Sequence, residues 1–280
     1  MKIKEKKIIL LILSMFINFA LLTILLTREF NIKITQKKEV KLDSKNLITN
    51  KSYIPKHYDI KKKEDKKFTN LNILIVGNSI TFHEVKKEIG WNYKAGMAAS
   101  NINNDYVHIL FEKLTKLNKN VCLRISNISQ FEKYPSSFEY ANYINLLEFK
   151  PDLIIIQIGE NLNCKDESNK SLFKKNLIEF VNNARYLNHA TNILITTPFF
   201  ISDGNVEYIY EIASVLKIHV VNLSSLICEN KHNQAKYNYQ GLTISDCWLN
   251  DGIGEHPGDI GMKNIAQRIF IEIDKLNNLN

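Results

Sequence analysis

Three short stretches of the 280-residue chain carry residue types that do acyl chemistry when they are brought together. Gly77-Asn78-Ser79-Ile80-Thr81 follows an apolar run. A serine just past a strand end can be held exposed in a tight turn, but its hydroxyl is a weak nucleophile without a base in hydrogen-bond reach. Gly159-Glu160-Asn161 follows a second apolar run, and an asparagine carboxamide there can donate to a developing oxyanion. Asp251-Gly252-Ile253-Gly254-Glu255-His256-Pro257-Gly258-Asp259 puts His256 in a loop ahead of a helix. An imidazole titrates in the range a general base needs. Each stretch alone has a plainer reading: Ser79 as a turn cap, Asn161 as a polar turn residue, His256 as a solvated side chain. The other six histidines have weaker settings.

The elements that must position these residues can be read from periodicity. Short, near-continuous apolar runs predict strands at 72–76, 121–125, 152–158, 192–197 and 218–223. Helical spacing predicts helices at 106–117, 138–149, 171–187, 206–216 and 259–276, with Asp105 and Asp259 as N-caps of the first and last. Strand and helix thus alternate five times. Uninterrupted hydrophobic strands are expected where helices cover both sheet faces. The expected fold is α/β: a doubly wound, mostly parallel five-stranded sheet over about 71–280. Ligands bind such sheets at the carboxyl ends of the strands. Ser79, Asn161 and His256 all fall at that end, in chain order.

In that order and spacing the sequence resembles the SGNH, or GDSL-like, hydrolase superfamily over about residues 71–275. The first block is similar to Gly77–Thr81, the third to Gly159–Asn161, and the last to the Asp and His256-Pro257 ahead of the closing helix. The resemblance implies the flavodoxin-like SGNH fold and a serine esterase without metal or cofactor. It implies Ser79 as nucleophile, His256 as base, and an oxyanion hole made by the Ser79 N–H, the Asn161 carboxamide and a loop glycine N–H. Gly96 is the best match for that glycine and Gly90 the second. The chain departs from the pattern at two positions. The acid three residues before the histidine is replaced by Ile253, so Asp251, five before, is the expected third member of a triad. Asp246, Glu255 or a backbone carbonyl are its alternatives, the last leaving a Ser–His dyad. Leu162 stands where the third block usually has Asp, which removes a structural group.

Composition narrows the setting. The chain is 45% hydrophobic and 24% charged, as globular proteins are, with a net charge of +8. Residues 1–70 hold 17 Lys+Arg and 7 Asp+Glu, whereas 71–280 hold 20 and 22, so the body is nearly neutral. Nucleic-acid binding by the body is therefore not expected. GNSIT is no phosphate loop and no GxGxxG follows the first strand, which disfavours nucleotide cofactors. Cys122, Cys164, Cys228 and Cys247 lack metal-ligand spacing and are expected to be free thiols, with a Cys228–Cys247 bridge as the alternative.

After a basic segment at 1–7, residues 8–27 form a 20-residue run without a formal charge. That is long enough to span a hydrocarbon core of about 30 Å. It is expected to be a transmembrane signal-anchor with a cytoplasmic N-terminus, a cleaved signal peptide being the rival. Residues 28–70 are lysine-rich and are expected to be a tether. The body would lie outside the membrane, near envelope polymers. The expected substrate is an O-acyl, first of all O-acetyl, ester on a carbohydrate or cell-envelope polymer. Trp91, Tyr93 and Trp248 are candidates for stacking on sugar rings. A lipase-like esterase, an O-acyltransferase and a non-catalytic binding scaffold are the alternatives.

Overall fold

The computed structural model describes residues 55–61, 70–117, 120–237 and 252–277. They belong to a compact unit over 53–280. The segments read as a transmembrane anchor (8–27) and most of the tether (28–70) lie outside the described residues. Among the described residues no helix is long and apolar enough to cross a membrane.

Six strands form one sheet: β1 (His57–Lys61), β2 (Asn70–Gly77), β3 (Asn120–Asn127), β4 (Leu153–Gln157), β5 (Asn192–Thr196) and β6 (His219–Val221), in spatial order β1-β3-β2-β4-β5-β6. All neighbours run parallel except β1, which is antiparallel to β3. The apolar runs are continuous because alternate residues serve two cores. Ile73 and Ile75 of β2 and Leu153 and Ile155 of β4 pack with the helices α1 (Tyr106–Thr115) and α7 (Asp259–Asn277). Leu74 and Val76, with Ile154 and Ile156, pack with α3 (Tyr140–Leu147), α4 (Glu167–Leu187) and α5 (Asn205–Leu216). Two short helices, α2 (Ser129–Lys133) and α6 (Ser225–Glu229), follow β3 and β6.

The sheet therefore has six strands rather than the five expected, and the sixth comes from residues read as tether. In β1, Tyr58 and Ile60 are half-buried while His57, Asp59 and Lys61 are exposed, a two-residue period. The surrounding lysines mask that period in the sequence. Asp59 sits opposite Arg124 of β3 and accepts from Nε at 2.9 Å and Nη2 at 3.0 Å, which pins the register. Because β1 is antiparallel, His57 pairs with Ser126 at the carboxyl end of β3. The chain thus enters the sheet at the end that carries the candidate site.

The helix N-termini follow the sequence expectation in one case and not in another. Asp105 caps α1, its Oδ1 accepting the His108 N–H at 2.8 Å. Asp259, expected as a cap, is instead the first residue of α7. Its carboxylate accepts from Ser100 N and Oγ at 2.8 and 2.7 Å, tying the 90–100 loop to the last helix. β2, between β3 and β4, is where the strand order reverses, and the crevice outside its carboxyl end is the expected ligand site.

Candidate active site

The turn after β2 is built around Asn78. Its carbonyl accepts the N–H groups of Thr81 and Phe82, and its Oδ1 accepts Ile80 N at 3.1 Å. Gly77 is required by a close approach: a Cβ there would lie 1.9 Å from Thr81 Oγ1 and 2.8 Å from the Gln157 carbonyl. This leaves Ser79 partly exposed at the crest. Its N–H makes no hydrogen bond among the described residues.

Ser79 Oγ lies 3.0 Å from His256 Nε2. His256 Nδ1 lies 3.0 Å from the Gly252 carbonyl, which can only accept. The proton is thereby fixed on Nδ1, and the Nε2 lone pair faces the serine hydroxyl. The Phe200 ring and the imidazole meet in a T-shaped contact with centroids 5.3 Å apart. Burial pushes the His256 pKa down to about 4. The Gly252 hydrogen bond works against that shift, and neighbouring His83 adds to it. The arrangement is that of a neutral base in contact with a hydroxyl nucleophile.

Asp251, expected to orient His256, lies outside the described residues, as do Asp246 and Trp248. Glu255 does not take that role: it accepts from Gln234 Nε2 at 2.7 Å and pairs with Lys236. Among the described residues the partner of Nδ1 is the backbone carbonyl, the dyad alternative.

Asn161 is exposed beyond β4. Its N–H donates to Glu132 Oε2 at 2.7 Å, and its Nδ2 makes a longer 3.5 Å contact to Glu132 Oε1. The second carboxamide hydrogen is left for another acceptor. Gly96 does not provide the expected N–H, because that group donates to Asp105 Oδ2 at 3.1 Å. The position needs glycine for another reason: a Cβ would meet the Ile80 carbonyl at 2.4 Å. The loop still braces the Ser79 turn, since Met97 N donates to the Ser79 carbonyl at 2.8 Å. Gly90, the second choice, closes a turn at φ 75° with its N–H on the Lys87 carbonyl. A backbone N–H that no sequence signal marks is that of Gln130, in the first turn of α2. It makes no hydrogen bond among the described residues, and two residues before it Ile128 N donates to the Gly77 carbonyl at 2.7 Å.

Trp91 is not a stacking surface. It is fully buried with Ala95, Met97, Ala98, Ala235 and Ile253. Tyr93 is exposed and packs edge-on against it at 5.5 Å. An open groove of about 620 Å³ beside β1 is lined by His57, Tyr58, Phe82, Lys94 and Ile102, but not by Ser79 or His256. Cys122 and Cys164 are free, whereas Cys247, considered as a partner for Cys228, lies outside the described residues.

Two carboxylates to which the sequence assigns no role tie the turns of the site together. Glu132 of α2 is buried and accepts from Gly159 N (2.9 Å) and Asn78 Nδ2 (3.0 Å), besides Asn161. Glu160 accepts from Asn78 Nδ2 (2.6 Å), Gln157 Nε2 (2.7 Å) and Phe199 N (2.8 Å). Burial pushes both carboxyls above the usual range, with the charge of Glu132 adding to the shift of Glu160.

Fold and site together define an α/β protein with a Ser–His pair at the topological switch point. No family model matches the chain, and no curated protein matches it. Solved structures similar to it include esterases, GDSL-like lipases and a salicylyl-acyltransferase. One is a two-domain esterase active on acetylated mannans, co-crystallized with mannopentaose, at 19% identity and TM-score 0.48 over 75% of this chain. The chain spans only 50% of that protein. A psychrotrophic esterase from Pseudoalteromonas sp., inhibited by monoethylphosphonate, matches at 16% identity and TM-score 0.46, over 74% of this chain and 98% of its own. A GDSL-like lipase from Parabacteroides merdae matches at 20% identity and TM-score 0.47, over 72% and 94%.

Proposed function

We propose that the chain is a serine esterase that removes O-acyl groups, first of all O-acetyl, from a carbohydrate or cell-envelope polymer. The observation that carries this reading is the 3.0 Å Ser79 Oγ–His256 Nε2 contact, with Nδ1 held by a carbonyl so that Nε2 is the free base. His256 takes the Ser79 proton as Oγ attacks the ester carbonyl. The oxyanion is met by the Ser79 N–H and the Asn161 carboxamide. His256 then protonates the leaving alcohol. Water, deprotonated by the same imidazole, releases the acid from Ser79. Removing one oxyanion donor typically costs ~2.7–4 kcal/mol of the barrier.

The polymer substrate and the extracytoplasmic setting rest on the sequence. The uncharged run at 8–27, read as a signal-anchor, would hold the body among envelope polymers. The test is turnover of p-nitrophenyl acetate, butyrate and octanoate by the full chain, beside Ser79→Ala and His256→Ala. Acetate turnover lost in both variants is the expected result. A preference for octanoate would redirect the reading to lipid. Phosphonate labelling that Ser79→Ala does not abolish would sink it.

A further inference from the structure

We propose that Glu132 is the positioning residue of this site, its buried carboxylate holding the Asn161 turn in register with the Ser79 turn. The proposal rests on the esterase reading and deepens it. Glu132 lies on α2, far in sequence from both turns, and is 1% exposed. Its two oxygens divide the work. Oε2 takes the backbone N–H groups of Gly159 (2.9 Å) and Asn161 (2.7 Å), fixing the path of that turn. Oε1 takes the carboxamides of Asn78 (3.0 Å) and, at the longer 3.5 Å, Asn161. Asn78 immediately precedes the nucleophile, so one carboxylate joins the serine turn to the oxyanion asparagine.

The connection continues through the other Asn78 carboxamide hydrogen. It reaches Glu160 Oε2 at 2.6 Å, while Glu160 Oε1 receives Phe199 N at 2.8 Å. The next residue, Phe200, packs on His256. Every partner of Glu132 is a donor, and none is an acceptor for a proton on it. The geometry calls for the ionised form. An amide in its place would turn an NH2 toward one of the two donor pairs, leaving donors facing donors in a buried setting.

A merely structural glutamate would lower the amount of folded enzyme and leave its kinetics alone. A positioning glutamate acts through Asn161, and a double-mutant cycle separates the two. In the full chain with p-nitrophenyl acetate, Glu132→Gln should lower kcat ~10–100-fold with KM within about threefold. Added to Asn161→Ala, it should cost less than about threefold more, because the carboxamide it positions is already gone. Multiplicative losses, or a raised KM with kcat intact, would overturn the proposal. If Glu132→Gln does not fold, Glu132→Asp, which keeps the charge but draws it back, enters the same cycle. If neither folds, Glu132 belongs to stability alone and the proposal is overturned. Turnover that survives Ser79→Ala overturns the esterase reading and this proposal with it. Turnover that needs Ser79 but shows no coupling overturns only the role of Glu132.

Discussion

An imidazole serves as a base only while its lone pair is free, and burial keeps that of His256 free well below the ordinary range. With its pKa near 4, the acid limb of kcat/KM should lie near pH 4 rather than near the unperturbed value of about 6.5. Rates on an ester stable from pH 4 to 8 will check this, and a limb between 6 and 7 would show the ring solvated instead. The same shift has a sign for stability. The unfolded chain binds a proton at His256 between about pH 6.5 and 4 where the folded one does not, so this contribution is full above 6.5 and falls as pH drops toward 4. At this scale the sequence was partly legible. Ser79 and Asn161 stand out by chemistry and by place at strand ends, and His256 by its loop ahead of the last helix; the structure brings Ser79 and His256 together. Glu132 does not stand out, because a glutamate in a short helical stretch reads as a solvated face. Gly96 misled because glycine signals a close approach as readily as a spare N–H, and here the approach to Ile80 is the cause. Trp91 misled because an aromatic residue in a loop looks the same at a rim or in a core.

Among the elements, β1 is the one whose removal tests the architecture. It covers the edge of β3 with five residue pairs, and the Tyr58 ring packs tilted against Phe82, centroids 4.8 Å apart, three residues beyond Ser79. A chain beginning at residue 68 should fold less stably than one beginning at residue 53, because β3 becomes an open edge and Arg124 loses Asp59. Each kcal/mol lost shifts Tm by roughly 2–4 °C in a domain of this size, so a drop of at least about 5 °C is expected by thermal melting. Equal Tm values would make β1 an ornament. Four of the parallel strands, β2 to β5, were legible as apolar runs buried largely on both faces, and the short edge strand β6 by the apolar residues that flank it. The antiparallel β1 was not, because a half-exposed edge strand keeps only every second residue apolar, and in HYDIK those are two residues among charges.

For the whole molecule, charge and hydropathy divide unevenly. Residues 1–70 carry a balance of +10 and hold the uncharged run, while the remainder stands at −2. If 8–27 spans a bilayer, the full chain should stay with membranes through both high salt and alkaline carbonate. Salt alone would release a chain held only by its lysines. Fractionation followed by immunoblotting decides, and release by salt would discard the anchor. The body has a further property that follows from where its reactive pair comes from. Ser79 and His256 are 177 residues apart in sequence, one at the first parallel strand and the other just before the last helix. A contact between residues so far apart in sequence is non-local, of the kind that forms late in folding. A chain clipped before His256 would carry Ser79 without the imidazole that faces it. On the proposed esterase reading, activity would require that the first parallel strand and the loop before the last helix have met.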